Sequence, residues 1–284
     1  MSLVLKSHCK VNLLLNILGR REDGFHELQT IMQPVPLCDE LRFERIDAGM
    51  ELSCSDPRLP MDDTNLVRQA AIVFCQKVSV DGVRIHLKKN LPLAAGIGAG
   101  SSNAAFTLRG LNQLFDEPLD SDCLQSMAAD LGSDVPFFMQ DQPALATGRG
   151  ELVQPVDPFP ALQGKGMLLV HPGFGVSTPW AYQALASSPS GYGKAGAMGI
   201  MAGAMQEGRL EGFINSLEAP VFQKHLVLPV LKRFLKEQGG AVALMSGSGS
   251  TTFAITEDRA AAEALRAKYH AHFGQAGWSA TVAL

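Results

Sequence analysis

The sequence predicts an α+β chain of two domains, strand-rich in its N-terminal half and closed by an α/β sandwich in its C-terminal half. Three observations carry that expectation. Apolar and polar residues alternate with a period of two before residue 90, the pattern of half-buried strands. The pattern turns helical behind a glycine-rich loop at 92–103. The second half then runs strand, helix, strand, the order expected of helices packed on an antiparallel sheet. A length of 284 residues also fits two domains at about 150 residues each.

Taken in order, LRFER at 41–45 alternates, and Val83, Ile85 and Leu87 alternate with Arg84, His86 and Lys88. Between these segments Leu66, Ala70, Val73 and Phe74 form an apolar stripe at helical spacing after the turn-forming MDDTN. Beyond the glycine loop, SSNAAFTLRGLNQLF reads as a helix with Ser101 or Ser102 as N-cap, and a second helix follows near 120–131. The prolines of PVDPFP at 155–160 mark a boundary, giving domains at 1–157 and 158–284. After it come a buried strand in MLLV, helices near 227–238 and 258–270, the strand pair AVALM and TTFAI around SGSGS, and a closing WSATVAL.

Composition excludes several classes. With 46% apolar and 18% charged residues the chain is not of the disordered type. A net charge of −4 leaves no basic excess for nucleic acid. Five cysteines, at 9, 38, 54, 75 and 123, make no CxxC pair and read as reduced, mostly buried thiols. Lys10 and Asn12 interrupt the N-terminal apolar run, so no signal peptide is expected, and no run reaches 18 apolar residues. The expectation is a cytoplasmic protein with a small-molecule partner, without nucleic acid or membrane, as a monomer or weak homodimer.

PLAAGIGAGSSN, from Pro92 to Asn103, is the most informative segment. Gly96, Gly98 and Gly100 let backbone approach a ligand, and a helix N-terminus behind them offers free N–H groups and a positive dipole end, suited to phosphate. A tight strand-to-helix turn without ligand is the alternative. No Gly-Lys-Ser/Thr follows, so this is not a P-loop, and Ser101 stands where a dinucleotide fingerprint wants its third glycine or alanine. A dinucleotide fold would also need an acid about 20 residues on, at a strand end, whereas Asp116 and Glu117 fall in a turn after a helix. Asp134 in LGSDVPFFM precedes apolar residues and is either a turn former or a carboxylate aimed at a ligand. Lys10 follows a strand-like run and either snorkels or meets a partner. SGSGS at 246–250, bracketed by two apolar strands, is no flexible linker.

In order and wording, SHCKVNLLLNILGRREDGFHELQT, PLAAGIGAGSSNAAFTLRGLN, LGSDVPFFM and SGSGSTTFAI resemble the motifs of the GHMP small-molecule kinase superfamily. The GRREDGFHEL segment is similar to the branch that uses ATP to phosphorylate the tertiary 2-hydroxyl of a cytidine-diphosphate-linked methylerythritol, in the non-mevalonate route to isoprenoid precursors. The resemblance implies the two-domain fold of that family, ATP with Mg²⁺, and a set of roles. Its catalytic aspartate falls on Asp134, with Lys10 expected beside it to keep the carboxylate ionised and balance the developing alkoxide. The nucleotide falls on Asn65, Lys89, Pro92, Gly96, Gly98, Gly100, Ser101 and Ser102, with Ser101 or Ser102 as a metal ligand. The substrate falls on Asn12, Phe25, His26, Thr178, Tyr182, Gly247 and Gly249, with Phe25 and Tyr182 stacking on cytosine from different domains.

Two departures from the family pattern stand out. Ala94, Ala95 and Ala99 replace glycines, which requires φ below zero there, and Phe25 stands where tyrosine is common. A relative acting on another small alcohol, or a silent nucleotide-binding relative, is the alternative, though the latter need not keep both Lys10 and Asp134.

Overall fold

The computed structural model describes residues 2–187 and 191–284. In chain order the elements are β1 (Ser2–Arg20), β2 (His26–Arg45), β3 (Gly49–Cys54), α1 (Leu66–Lys77), β4 (Gly82–Lys88), α2 (Ala99–Leu114), α3 (Ser121–Leu131), β5 (Ala144–Thr147) and β6 (Leu152–Pro155). Then follow β7 (Gly166–His171), α4 (Thr178–Ala186), α5 (Ala197–Gln206), β8 (Ile214–Asn215), α6 (Glu218–Lys224), α7 (Val227–Glu237), β9 (Val242–Met245), β10 (Thr252–Thr256), α8 (Arg259–Phe273) and β11 (Trp278–Ala283). Single 3₁₀ turns lie at Pro136–Met139 and Pro160–Leu162.

Two compact units result, one of Met1–Cys9, Pro36–Leu93 and Gly98–Asp141, the other of Lys10–Val35, Ala94–Ile97 and Gln142–Leu284. They do not follow a single cut at 157–158. The reason is the length of β1 and β2, 19 and 20 residues, which contribute to both units; strands of ordinary length, up to about 10 residues, serve one layer.

In the first unit, β4 pairs antiparallel with β2 (Phe43 opposite Ile85) and parallel with β3. The expected alternation holds in β4, where Val83, Ile85 and Leu87 are buried and Arg84, His86 and Lys88 exposed. Helix α2 lies close on this sheet because Gly110 has no side chain: a Cβ there would come 2.5 Å from the Phe43 ring. The buried stripe of α1 is Val67, Ala70, Ala71 and Phe74. Leu66 and Val73, expected in it, are half-buried, because the packed face centres on Val67, Ala70, Ala71 and Phe74 instead. Asp116 and Glu117, at φ 69° and 59°, form the turn after α2, and Asp116 pairs with Arg45 at 2.7 Å, so neither stands at a strand end.

In the second unit, β11, β7, β10 and β9 form an antiparallel sheet in that order. Leu231 and Leu235 of α7 and Leu265 and Tyr269 of α8 pack with Leu168, Val170, Ala243 and Ala254 on it, the sandwich expected from the strand and helix order. A separate core joins Leu15, Ile17 and Leu28 to Ala181 and Leu185 of α4, Val221 of α6 and Met245. The five cysteines are free; Cys9 is buried, but Cys38, Cys54, Cys75 and Cys123 are half-buried, so "mostly buried" is corrected to one. No helix among the described residues is long and apolar enough to cross a membrane.

Candidate active site

In the second unit, Lys10 and Asn12 lie two residues apart on β1 and so share a face of the strand. Both are 3% exposed, and the Lys10 ammonium donates to Asn12 Oδ1 at 2.6 Å. Lys10 does not snorkel. The Asn12 amide donates to Thr30 Oγ1 at 2.8 Å, and that hydroxyl donates to the Leu14 carbonyl at 2.6 Å, which fixes the carboxamide with its oxygen toward the lysine. The Lys10 backbone N–H donates to the Ile97 carbonyl at 3.0 Å, so the glycine loop runs along this strand.

The two glycine segments pack on each other. Ser246 Oγ accepts from the Asn12 N–H at 3.3 Å and donates to the Gly96 carbonyl at 2.9 Å. The Thr251 N–H donates to the Ala95 carbonyl at 3.2 Å. At Gly96, with φ +75°, a Cβ would sit 2.3 Å from the Ser246 carbonyl, and at Gly247 one would sit 2.8 Å from the Gly96 carbonyl. Only glycine allows this backbone approach. The SGSGS segment is thus a packed loop rather than a linker. It also meets the start of α4, where the Thr178 and Ser248 hydroxyls are 2.8 Å apart.

Ala95 and Ala99 keep the negative φ expected of them, but Ala94 does not; its φ is +50°. The loop must turn there in the left-handed region, with the Gly175 backbone close enough that a Cβ on Gly175 would meet the Ala94 methyl at 2.8 Å. A residue with a Cβ pays about 1 kcal/mol or more in this conformation. Ala94→Gly therefore raises the melting temperature by a degree or two, the strain relief being partly offset by a freer unfolded chain; a lower melting temperature in calorimetry would mean that Ala94 is unstrained.

His26 lies farther along the same unit, 8% exposed, with its ring centroid 5.1 Å from that of Tyr182 and 6.1 Å from that of Tyr192. Burial, helped by the charge of Arg20, pushes its pKa below the ordinary histidine value, so the imidazole is neutral near pH 7. Its Nε2 is buried without a hydrogen-bond partner. A buried polar atom left unpaired costs about 1–3 kcal/mol, which a ligand atom placed there would recover. Phe25 is 51% exposed and carries the Arg149 guanidinium 4.7 Å above its ring. Phe25 and Tyr182 belong to one unit, not to different domains, because His26–Val35 groups with the C-terminal half.

In the first unit, α2 starts at Ala99 with Gly98 as its N-cap, φ 68°, and not with Ser101 or Ser102. Its first-turn N–H groups have no capping side chain, the arrangement that suits an anion. Ser102 is fully buried and its hydroxyl donates to the His8 carbonyl at 2.5 Å. Ser101 is half-buried and Gly100 exposed; Pro92 and Gly98 are half-buried. Asn65 is spent on the fold: its Oδ1 caps α1 at the Val67 N–H, 2.9 Å, and its amide donates to the Pro60 carbonyl at 2.8 Å.

The Lys89 ammonium makes a buried ion pair with Asp39. Asp39 also accepts from the Asn90 and Leu91 N–H groups at 2.8 and 2.9 Å and from Asn103 Nδ2 at 3.1 Å, tying this segment to α2. Neither Asp39 nor Ser246 stood out in the sequence, since a single Asp in a strand and a serine among serines carry no pattern. Asp134 is half-buried in the turn after α3, directly before the buried Val135, Phe137 and Phe138.

Models of the GHMP kinases N terminal domain and the GHMP kinases C terminal domain match residues 65–148 and 181–275. The chain is 43% identical to a 4-diphosphocytidyl-2-C-methyl-D-erythritol kinase of Methylacidiphilum infernorum, over 87% of this chain and 83% of the relative. It is 37% identical to the protein of that name from Pelobacter propionicus, over 99% and 98%. A crystal structure of 4-(cytidine 5'-diphospho)-2C-methyl-D-erythritol kinase superimposes with a TM-score of 0.82 at 33% identity, covering 98% of each chain.

Proposed function

Because the chain belongs to the 4-diphosphocytidyl-2-C-methyl-D-erythritol kinase family of the GHMP kinases, we infer that it transfers the γ-phosphoryl group of ATP to the 2-hydroxyl of 4-diphosphocytidyl-2-C-methyl-D-erythritol, in the non-mevalonate route to isoprenoid precursors. The observation that carries the reading is the buried Lys10 ammonium, oriented by Asn12 on a strand hydrogen-bonded to both glycine segments.

Phosphoryl transfer is mainly positioning and charge stabilisation, so the chain needs donors for phosphates, a cation for developing charge and a base for the alcohol. The uncapped N–H groups of α2 and the backbone from Gly96 to Ser101 bind the ATP phosphates. Pro92, with the backbone near Asn65 and Lys89, lines the base; the side chains of Asn65 and Lys89 hold the fold there. Lys10 stabilises negative charge as the alcohol loses its proton, and Asp134 accepts that proton.

Mg²⁺, which offsets phosphate charge when bound, finds no group of three His, Cys, Asp or Glu among the described residues. Of this chain's residues the half-buried Ser101 hydroxyl at the start of α2 would help hold the ion.

The cytidine end binds where His26 has an unpaired Nε2 and a ring neighbour in Tyr182. Stacking on Tyr182 and Phe25 supplies affinity of about 1–3 kcal/mol per aromatic contact but cannot tell cytosine from uracil, so the neutral His26 imidazole reads the polar edge. Asn12, Thr178 and the backbone of Gly247 and Gly249 bind the rest of the substrate.

ATP consumption measured with the cytidine-diphosphate-linked methylerythritol, mevalonate and homoserine tests the activity; turnover with the first alone is expected, and turnover with another alcohol in its place overturns the reading. Tyr182→Ala raises KM for the cytidine substrate about tenfold or more and leaves KM for ATP unchanged. A variant that loses only melting temperature, or equal phosphorylation of the uridine analogue by the wild type, would remove the cytosine pocket from His26 and Tyr182.

A further inference from the structure

We propose that Asn215 is a positioning residue for phosphoryl transfer: its carboxamide sets the 246–250 loop against the strand that carries Lys10 and Asn12. The inference rests on the reading that this loop serves the reaction.

Asn215 is remote in sequence from every motif of the site, yet it is 5% exposed and its bonding is directed at the loop. The two N–H groups of Nδ2 donate to the Met245 carbonyl at 2.7 Å and the Gly247 carbonyl at 2.8 Å, the residues on either side of Ser246. Its Oδ1 accepts from the Leu217 N–H at 2.9 Å, which fixes the orientation of the amide. Three residues on, at the start of α6, Glu218 Oε1 accepts from the Met245 N–H at 2.9 Å, while its other oxygen is held by Lys232 at 2.5 Å. The entry to the loop is thus gripped at Met245 by two side chains of the 215–218 segment.

That segment is itself fastened to β1. Leu15 pairs with Asn215 in a parallel bridge, the Ser216 N–H donates to the Leu15 carbonyl at 2.9 Å, and the Ile17 N–H donates to Ser216 Oγ at 3.0 Å. A closed circuit follows. It leaves β1 at Leu15, passes through Asn215 to Met245 and Gly247, and returns from Ser246 to β1 at Asn12. From Ser246 it branches to the Gly96 carbonyl. Asn215 is the member of this circuit that sets how far the Ser246 hydroxyl stands from Asn12 and Gly96. Two donors facing two carbonyls with an acceptor behind them is a pattern that a carboxamide meets and a carboxylate does not, because its oxygens would face carbonyl oxygens.

A slackened loop misplaces groups that act on the transferred phosphoryl, and small misplacements cost rate more than stability. Asn215→Asp is therefore expected to lower kcat about tenfold or more with both substrates saturating and the protein folded. Leu265→Ala, a cavity in the core under α8, lowers the melting temperature while kcat below the transition stays at the wild-type value. If Asn215→Asp does not fold, Asn215→Ser, which keeps one donor, carries the same test with a smaller loss of kcat.

Gly247→Ala separates the two readings, since its methyl strikes the Gly96 carbonyl directly. Loss of kcat in both Gly247→Ala and the Asn215 variants supports the proposal. Loss in Gly247→Ala with wild-type kcat in folded Asn215 variants overturns the clamp alone. Wild-type kcat in Gly247→Ala overturns the role of the loop and the clamp together.

Discussion

Asp134→Asn lowers kcat by about 10²-fold or more and leaves the affinity for ATP nearly intact. The backbone of the Asp134 turn is held by the Val135 N–H donating to the Gly132 carbonyl and the Phe138 N–H donating to the Val135 carbonyl, both 3.0 Å. Val135, Phe137 and Phe138 anchor that turn with no exposed surface. Asparagine has the shape of aspartate, so the anchored turn is expected to persist while the proposed proton acceptor is lost. A hundredfold loss corresponds to about 2.7 kcal/mol of transition-state stabilisation, within the range that a positioned base contributes. On the proposed reading backbone N–H groups, not this side chain, hold the ATP phosphates, so nucleotide titration is expected to be unaffected. Steady-state kinetics with each substrate varied in turn, together with a melting curve, checks both halves; near-normal turnover in the folded variant takes Asp134 out of the mechanism.

Gly96→Ala is expected to cost about 3 kcal/mol or more and to lower the melting temperature by roughly 10 °C, with activity lost at the same time. Its φ of +75° already disfavours a side chain, and the new methyl would lie 2.3 Å from the Ser246 carbonyl and 2.9 Å from the Gly249 N and O. All three obstacles are backbone atoms, so no side chain can turn aside. Relief requires the two glycine segments to part, which breaks the bond from Ser246 Oγ to the Gly96 carbonyl and with it the link to Asn12. Gly199→Ala in α5 is the contrast, because nothing lies within 4 Å of its Cβ position; there alanine stabilises the helix by up to about 1 kcal/mol. Equal melting temperatures for Gly96→Ala and the wild type would show that the two loops do not pack as described.

Local patterns made much of this protein legible. Period-two alternation located β4, apolar runs around SGSGS located β9 and β10, and the amphipathic stretch at 227–238 located α7, because side-chain direction in a strand or helix is a property of neighbouring residues. The glycine-serine wording likewise marked α2, although its N-cap is Gly98, without a capping side chain, rather than the serine expected. The four motif segments, with the sequence alone, pointed to the kinase family that the relatives share.

What only the tertiary structure decided is where each side chain spends its bonding capacity. Asn65 and Lys89 match a nucleotide motif, yet one caps α1 and the other is buried on Asp39. Ser102, in the same glycine-serine segment, gives its hydroxyl proton to the His8 carbonyl. Ala94 turns in the left-handed region because the Gly175 backbone and the loop constrain it from outside its own neighbourhood. Asp39, Ser246 and Asn215 carry no local pattern at all; each acts on backbone groups that are tens to hundreds of residues away in the chain, and such partners are chosen when strands and loops pack, since every buried donor and acceptor must then find one. Sequence therefore determined which elements form and which chemistry they resemble, whereas packing decided which polar groups remain to meet a substrate and which are consumed by the fold.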